Sequence, residues 1–364
     1  MRTTYLVVLA AAAVAAAIAA TAVAGRGGPG SPIDGASFST VFASPLGLEG
    51  LTGDADGNLY STGRNADPCP VYRVPAAGGA AVVVGNVPAP CSPSGITFGP
   101  DGRLYIADDG QVLALAPNAA APPLATVYAS GVPGTNGLAF DSSGNLWTGD
   151  GTTGQGRVWR INGNGVPTEA FRIQPMANSV GVGREARTLP PGTAQGLVAN
   201  GVAFDHDGSL IVADTARGAL WRVQLDRAGN VLSPTGCDST FAADTLCLDN
   251  IWVQHVYLDG ADGIALDHAG NVWTAANERN AIVVVGANGG VTEFFRNAPN
   301  ATTMLRNGGP LEFPTSPFLL GHKLCVTSSD GNRRDNSPNS AGEVRPGSPA
   351  VAKISCLDQR LPVT

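Results

Sequence analysis

The chain has 364 residues, only 14% of them charged, with 48 glycines, 27 prolines, a formal charge of −7 and a pI near 5.1. Such an acidic composition supplies no basic face for nucleic acid and is compatible with cation binding. The glycine and proline content suits many short strands joined by tight turns.

The N-terminus reads as an address. Arg2 precedes an unbroken apolar run from Tyr5 to Ala20, and Ala22 and Ala24 place small residues at the −3 and −1 positions of a cleavage site before Gly25. Residues 1–24 are therefore expected to be a signal peptide, and residues 25–364 a single exported domain, secreted or periplasmic. The run is also long enough for an uncleaved membrane anchor, but no second such run follows, so the cleaved chain is expected to be soluble and monomeric. Six cysteines in an exported chain imply disulfides. Their positions favour sequential pairing, Cys69 with Cys91, Cys237 with Cys247 and Cys325 with Cys356. No Cys-x-x-Cys pair suggests zinc or redox chemistry.

Beyond the leader, one unit recurs. Glu49-Gly50 is followed by LTGDADGNLYSTG, Ser94-Gly95 by ITFGPDGRLYIAD, Asn136-Gly137 by LAFDSSGNLWTGD, Asn200-Gly201 by VAFDHDGSLIVAD and Asp262-Gly263 by IALDHAGNVWTAA. Ser316-Pro317 leads a decayed copy, FLLGHKLCVTSSD, shortened at the turn. Each unit gives a polar residue, an apolar strand, a tight turn built on Asp and Gly, and a second apolar strand. The spacing between units leaves room for a four-stranded blade rather than a hairpin. Third strands are expected at Val71–Val74, Gln111–Ala116, Arg157–Ile161, Ala219–Gln224, Ala281–Gly286 and Ala350–Ser355. Fourth strands are expected at Ala80–Gly85, Leu124–Ala129, Thr168–Ile173 and Val291–Arg296.

The last unit has no fourth strand of its own. Residues 40–44 (TVFAS) precede the first unit as residues 126–130 (TVYAS) precede the third. The N-terminal strand should therefore pair with the last blade and close the ring, removing an open edge. The fold class is all-β, a six-bladed β-propeller. Two excursions interrupt it, Gln174 to Val198 with Arg184, Glu185 and Arg187, and Leu232 to Asp259 around Cys237 and Cys247; loops of this length are often functional.

In a propeller, equivalent residues of the innermost strands form a ring around the central channel. The residues before the glycines are Glu49, Ser94, Asn136, Asn200, Asp262 and, in the sixth unit, Thr315 or Ser316. All bear oxygen, which suits a hard cation such as Ca²⁺ better than Zn²⁺. Asn and Asp before Gly also simply favour turns, although Glu49 does not fit that explanation.

The repeat and this ring resemble the senescence marker protein/gluconolactonase/luciferin-regenerating enzyme family, with paraoxonases as more distant relatives. The resemblance implies that Glu49, Asn200 and Asp262 bind a divalent metal, most often calcium, with Asn136 facing the metal or the substrate. The sequence departs from the family in lacking the prolines of its Glu-Gly-Pro, Pro-Asn-Gly and Pro-Asp-Gly motifs. It also lacks the tryptophan shortly after the first motif, and the substrate-binding arginine before the third-blade asparagine, where Pro133-Gly134-Thr135 stand instead.

The activity implied is metal-dependent hydrolysis of lactones or related esters, with Asp262 as ligand and general base. Ser94, Ser316, Arg217 and Arg279 are added as substrate contacts. Turns on the same face carry Arg64, Asp108, Asp109, Asp150, Asp214, Asn277 and Asp330 as further candidates. His206, His268 and His322 belong to turns on the opposite face, and of the histidines only His255 has a loop that reaches the site. No Gly-x-Ser-x-Gly elbow or His-Glu-x-x-His motif occurs. The alternative function is a non-catalytic extracellular calcium-binding propeller that binds a protein or glycan. A lyase or synthase related to strictosidine synthase is disfavoured by Glu49 and Asp262 together.

Overall fold

The structure is a computed structural model that describes residues 33–174, 199–297, 310–329 and 352–361. The leader, residues 175–198 with Arg184, Glu185 and Arg187, and Asp330 lie outside the described residues. The strands form six antiparallel sheets arranged as the blades of a β-propeller. The first blade runs outward through Thr52–Gly53, Asn58–Arg64, Cys69–Pro75 and Val82–Val87. The last comprises Pro314–Leu320, Lys323–Ser328, Ala352–Leu357 and, as its outer strand, the N-terminal Phe38–Ser44. Phe38 lies opposite Leu357 and Ser44 opposite Ala352, so the ring closes as the sequence requires.

Second strands are sandwiched between neighbouring blades, and their composition reflects it. Leu104–Asp108, Leu146–Asp150, Leu210–Asp214 and Val272–Ala276 are buried at every position, as near-continuous apolar runs demand. Trp147 packs with Val202, Val212 and Trp221 of the next blade, and Trp273 with Leu324 and Val326. All three predicted disulfides are present; Cys325 and Cys356 face each other across the second and third strands of the closing blade. The fourth blade takes its outer strand, Ile251–Gln254, from within the second excursion, directly after the Cys237–Cys247 loop. Periodicity does not reveal so short a strand.

The Asp-Gly turns are anchored by the strands that follow them. Asp141 accepts from Ser143 N at 2.9 Å, Asn145 N at 2.8 Å and the Trp147 indole at 3.0 Å. Asp267 repeats this with Ala269, Asn271 and Trp273, and Asp54 with Asp56, Asn58 and the Tyr60 hydroxyl. Burial pushes the Asp141 carboxyl up, but the hydrogen bonds from Trp147, Asn145 and Ser143 outweigh it and hold the group below its ordinary value of 3.8.

The innermost strands are broken by a bulge at one repeated place. Pairing shifts register between Pro93 and Ile96, Thr135 and Leu138, Ala199 and Val202, Ala261 and Ile264, and Pro314 and Ser316. In the first four the residues passed over are the polar residue and its glycine, and in the last Thr315 alone; a bulge re-aims the side chain it carries. The glycine is needed because the next blade's backbone is so near. A Cβ at Gly95 would lie 2.1 Å from Asn136 O, and one at Gly201 2.4 Å from Asp262 O.

Two outcomes test this frame. Gly95→Ala should lose about 1–3 kcal/mol through overpacking against backbone that cannot yield, read as a lower urea midpoint with unchanged slope. Asp141→Asn should cost about 1–3 kcal/mol at pH 7, where the native carboxylate is charged and bonded. Because the folded pKa is depressed, this contribution is present above the unfolded value and disappears as pH falls through the folded one. The gap between wild type and Asp141→Asn should therefore shrink below the ordinary value of 3.8, as followed by denaturant unfolding at several pH values.

Candidate metal and substrate site

The bulges gather their polar residues into one cavity of about 210 Å³, lined by Glu49, Ser94, Asn136, Asn200 and Asp262. The sixth position of this ring is Thr315. A Cβ at Gly263 would meet Thr315 O at 2.4 Å, the contact that every other glycine makes with a ring residue. Ser316 therefore stands where the other blades have glycine, and it does not line the cavity. Thr315 is itself fully buried, its hydroxyl donating to Glu49 O at 2.6 Å.

A second ring surrounds the first, and sequence reasoning did not assemble it. The residues at the exits of the second strands are Arg64, the last of its strand, and Asp109, Gly151, Thr215, Asn277 and Ser329, each just after its strand, and all six line the cavity. Three of them bond the first-ring residue 15 positions earlier: Arg64 Nη1 donates to Glu49 Oε2, Asn200 Nδ2 to Thr215 Oγ1 at 3.3 Å, and Asn277 Nδ2 to Asp262 Oδ2 at 3.0 Å. Gly151 serves the same geometry by omission, since a Cβ there would fall 2.4 Å from Asn136 Nδ2. The signal was the offset of 15 between the two positions in the first five copies, 14 in the shortened sixth, which is visible once the copies are aligned. Ser92, Gly134, Thr135, Thr152 and Phe313 complete the wall. Phe313 is left-handed, with φ of 52°, and its N–H donates to Asn280 Oδ1 at 2.7 Å. A bulky residue held in that region marks a locally constrained backbone, here carrying an aromatic ring to the cavity.

The second ring decides which atoms of the first can serve a ligand. Thr215 Oγ1 donates its one proton to Ala261 O at 2.6 Å, so it can only accept from Asn200. The Asn200 amide nitrogen is thereby directed to Thr215, which assigns Oδ1 as the acceptor end of the amide. Among the described residues the ring holds no His or Cys, and its oxygen donors match the preference of a hard cation. Glu49 fits this set in part, because Arg64 already engages one of its oxygens. No group of three or more His, Cys, Asp or Glu side chains able to hold a metal occurs among the described residues, so any cation here depends on the asparagine amides.

The other sequence candidates are placed elsewhere. Asp108, Asp150 and Asp214 are fully buried and hold backbone: Asp108 accepts from Ser92 N at 2.7 Å, Asp150 from Thr153 N at 2.9 Å, and Asp214 from Arg217 N at 3.0 Å. Burial raises the Asp214 carboxyl, against the downward pull of Arg217 and Trp221. Neither arginine expected to contact substrate lines the cavity. Arg217 pairs with Asp214 at 2.9 Å and stacks over Trp221, while Arg279 pairs with Glu293 at 2.7 Å and lies over Tyr257. Of the histidines, His206 bonds Asp267 O in the turns of the opposite face, and His322 bonds Leu361 O. His255 accepts from Tyr257 N and packs against that ring, so it caps a 3₁₀ turn and does not line the cavity.

Residues 187–313 match the family described as the SMP-30/Gluconolactonase/LRE-like region, so the resemblance read from the repeat motifs holds over that stretch. The stretch contains Asn200 and Asp262 but neither Glu49 nor Asn136. Among solved structures the chain is similar to a calcium-binding protein, regucalcin, from Agrobacterium tumefaciens (19% identity, 87% of this chain and 93% of that one, TM-score 0.55). It is also similar to a putative gluconolactonase (13%, 92% and 95%, 0.57) and to the PQQ-bound aldose sugar dehydrogenase of Streptomyces coelicolor (17%, 90% and 100%, 0.57). At these identities the likeness is one of fold, and a fold shared by proteins of such different names does not choose a chemistry. No curated protein sequence matches the chain.

The environment of Arg217 yields a direct check. Arg217→Met should destabilise the protein by about 3–5 kcal/mol, since it strips the buried Asp214 carboxylate of its cation, while ligand affinity of the folded protein stays unchanged. Unfolding curves and calorimetric titration of the same sample read the two effects separately.

Proposed function

We propose that the chain is an exported, divalent-cation-dependent hydrolase of lactones or related esters, with calcium as the cation. The observation that carries this reading is the convergence of Asn136, Asn200, Asp262 and Glu49 in one cavity, with the second ring orienting them. Formal charge supports a divalent ion. The described lining residues include three carboxylates, Glu49, Asp109 and Asp262, against one guanidinium, Arg64, which leaves two negative charges for the ion to neutralise. When bound, the ion would polarise the carbonyl under attack.

The remaining steps belong to the chain's own residues. Asn136 and Asn200 hold the centre without adding charge; Thr152 offers a hydroxyl to a small polar ligand, and Ser94 Oγ, whose proton goes to Thr135 O, can only accept from one. Asp262 is the carboxylate assigned to take the proton of the attacking water. As the carbonyl carbon gains that oxygen and loses the alkoxy oxygen, the proton returns to the departing oxygen. Asn277, bonded to Asp262 Oδ2, fixes the carboxylate's orientation.

Export is supported by three disulfides, a feature of oxidising compartments. Among the described residues no helix is long and apolar enough to cross a membrane. A second reading, a non-catalytic calcium-binding propeller with a protein or glycan partner, is favoured by the engagement of Arg217 and Arg279 in ion pairs, which leaves neither for a substrate.

A panel of lactones and aryl esters assayed with and without chelator, for wild type and Asp262→Ala, separates the two. Hydrolysis lost on chelation and reduced at least about 100-fold in Asp262→Ala supports the hydrolase. Calcium-dependent thermal stability without turnover of any panel member supports the binding propeller. Turnover that survives both chelation and Asp262→Ala overturns the assignment of the centre.

A further inference from the structure

The first blade supplies the one cation of the second ring; the second blade supplies an anion, Asp109, and the other four residues are neutral. Asn200 is partnered by the neutral Thr215 and Asp262 by the neutral Asn277, whereas Glu49 is partnered by a guanidinium. Arg64 is fixed from behind: its Nη2 donates to Ser92 Oγ at 3.0 Å, and Ser92 N donates in turn to Asp108 Oδ1 at 2.7 Å. Asp108 is fully buried in the second blade, so a continuous chain runs from that blade's interior through Ser92 and Arg64 to Glu49. The Arg64 and Glu49 side chains keep only 18% and 13% of their exposure, which limits the solvent screening between them.

We propose that Arg64 is the resident counter-ion of Glu49 and sets the site's cation affinity low, so that the divalent ion is exchangeable. The proposal rests on the reading that the ion sits among Asn136, Asn200, Asp262 and Glu49. Two effects of opposite sign follow from the Arg64 contact. By holding Oε2, Arg64 orients Glu49, and losing such an orienting partner weakens metal sites by about 10- to 100-fold. The same contact leaves Glu49 at most one oxygen to offer and puts a full positive charge one carboxylate away from the ion. In a partly buried site the repulsion between a unit charge and a divalent ion at that range is the larger effect. Arg64 therefore opposes the cation on balance, and its fork, released when an ion takes Glu49, becomes a donor facing the bound ligand.

Calcium titration calorimetry on the full chain tests this with Arg64→Met, Arg64→Lys and Asp262→Asn, alongside thermal melts in chelator that verify folding. Arg64→Met should tighten calcium binding at least about tenfold. Arg64→Lys, which keeps the charge but loses the fork, should stay within about threefold of wild type, whereas a purely orienting role would weaken both variants. In a Glu49→Gln background Arg64→Met should gain nothing. If Arg64→Met does not fold, Arg64→Gln supplies the same loss of charge. Calcium binding that depends on Asp262 but is unchanged or weakened in Arg64→Met overturns the counter-ion role alone. Absence of calcium binding in wild type and Arg64→Met alike overturns the cation reading and this inference together.

Discussion

The structure depends on how closely its six innermost strands approach one another. At that distance the backbone of one blade leaves no room for a Cβ on the next, and an added methyl at Gly95, Gly137 or Gly201 would lie 2.1 to 2.7 Å from a neighbouring carbonyl oxygen. Glycine relieves the contact in five blades, with Ser316 in its place in the sixth, and the bulge turns the preceding side chain toward the axis. The repeated pair of polar residue and glycine is thus one device with two halves. The glycine lets the blades meet, and the polar residue is what they present where they meet.

Contact between blades is then secured by polar bonds as well as by apolar packing. Gly50 N donates to Ser94 O, Ser94 Oγ to Thr135 O, Thr215 Oγ1 to Ala261 O, and Thr315 and Thr327 to Glu49 O. Each of these bonds joins one blade to the next beside the cavity. The walls of the site are therefore the seams of the fold, which holds its side chains with little freedom and favours preorganised binding.

Much of this was legible in the sequence, because the informative pattern is a repeat. The six blades, the closing strand at Phe38–Ser44, the three disulfides and the inner ring follow from aligned copies and the need to eliminate an open edge. The outer strand Ile251–Gln254 was not legible, since four residues beyond a disulfide loop carry no period. The sixth ring position was ambiguous for a related reason: with no glycine in the decayed copy, only the contact with Gly263 distinguishes Thr315 from Ser316. The partners of Arg217 and Arg279 were hidden too, because Asp214 and Glu293 meet them through strand pairing and loop geometry rather than through any motif.

The same residue type takes opposite parts according to a shift of one position. Asp108 and Asp109 are adjacent, yet the first ends a strand, is wholly buried and holds Ser92 N, while the second is exposed at the mouth of the cavity in a left-handed turn. Asp214 and Thr215 repeat the division, the first holding Arg217 and Trp221, the second orienting Asn200. Successive residues of an extended chain face opposite ways, so a strand that buries its last carboxylate delivers the following side chain to the axis. Counting acidic residues near the loops therefore overstates the chemistry of this face. What matters is their phase: Glu49 and Asp262 have the phase of the channel, Asp108, Asp150 and Asp214 that of the core, and the charge of the centre is decided by the few side chains that stand one residue further on.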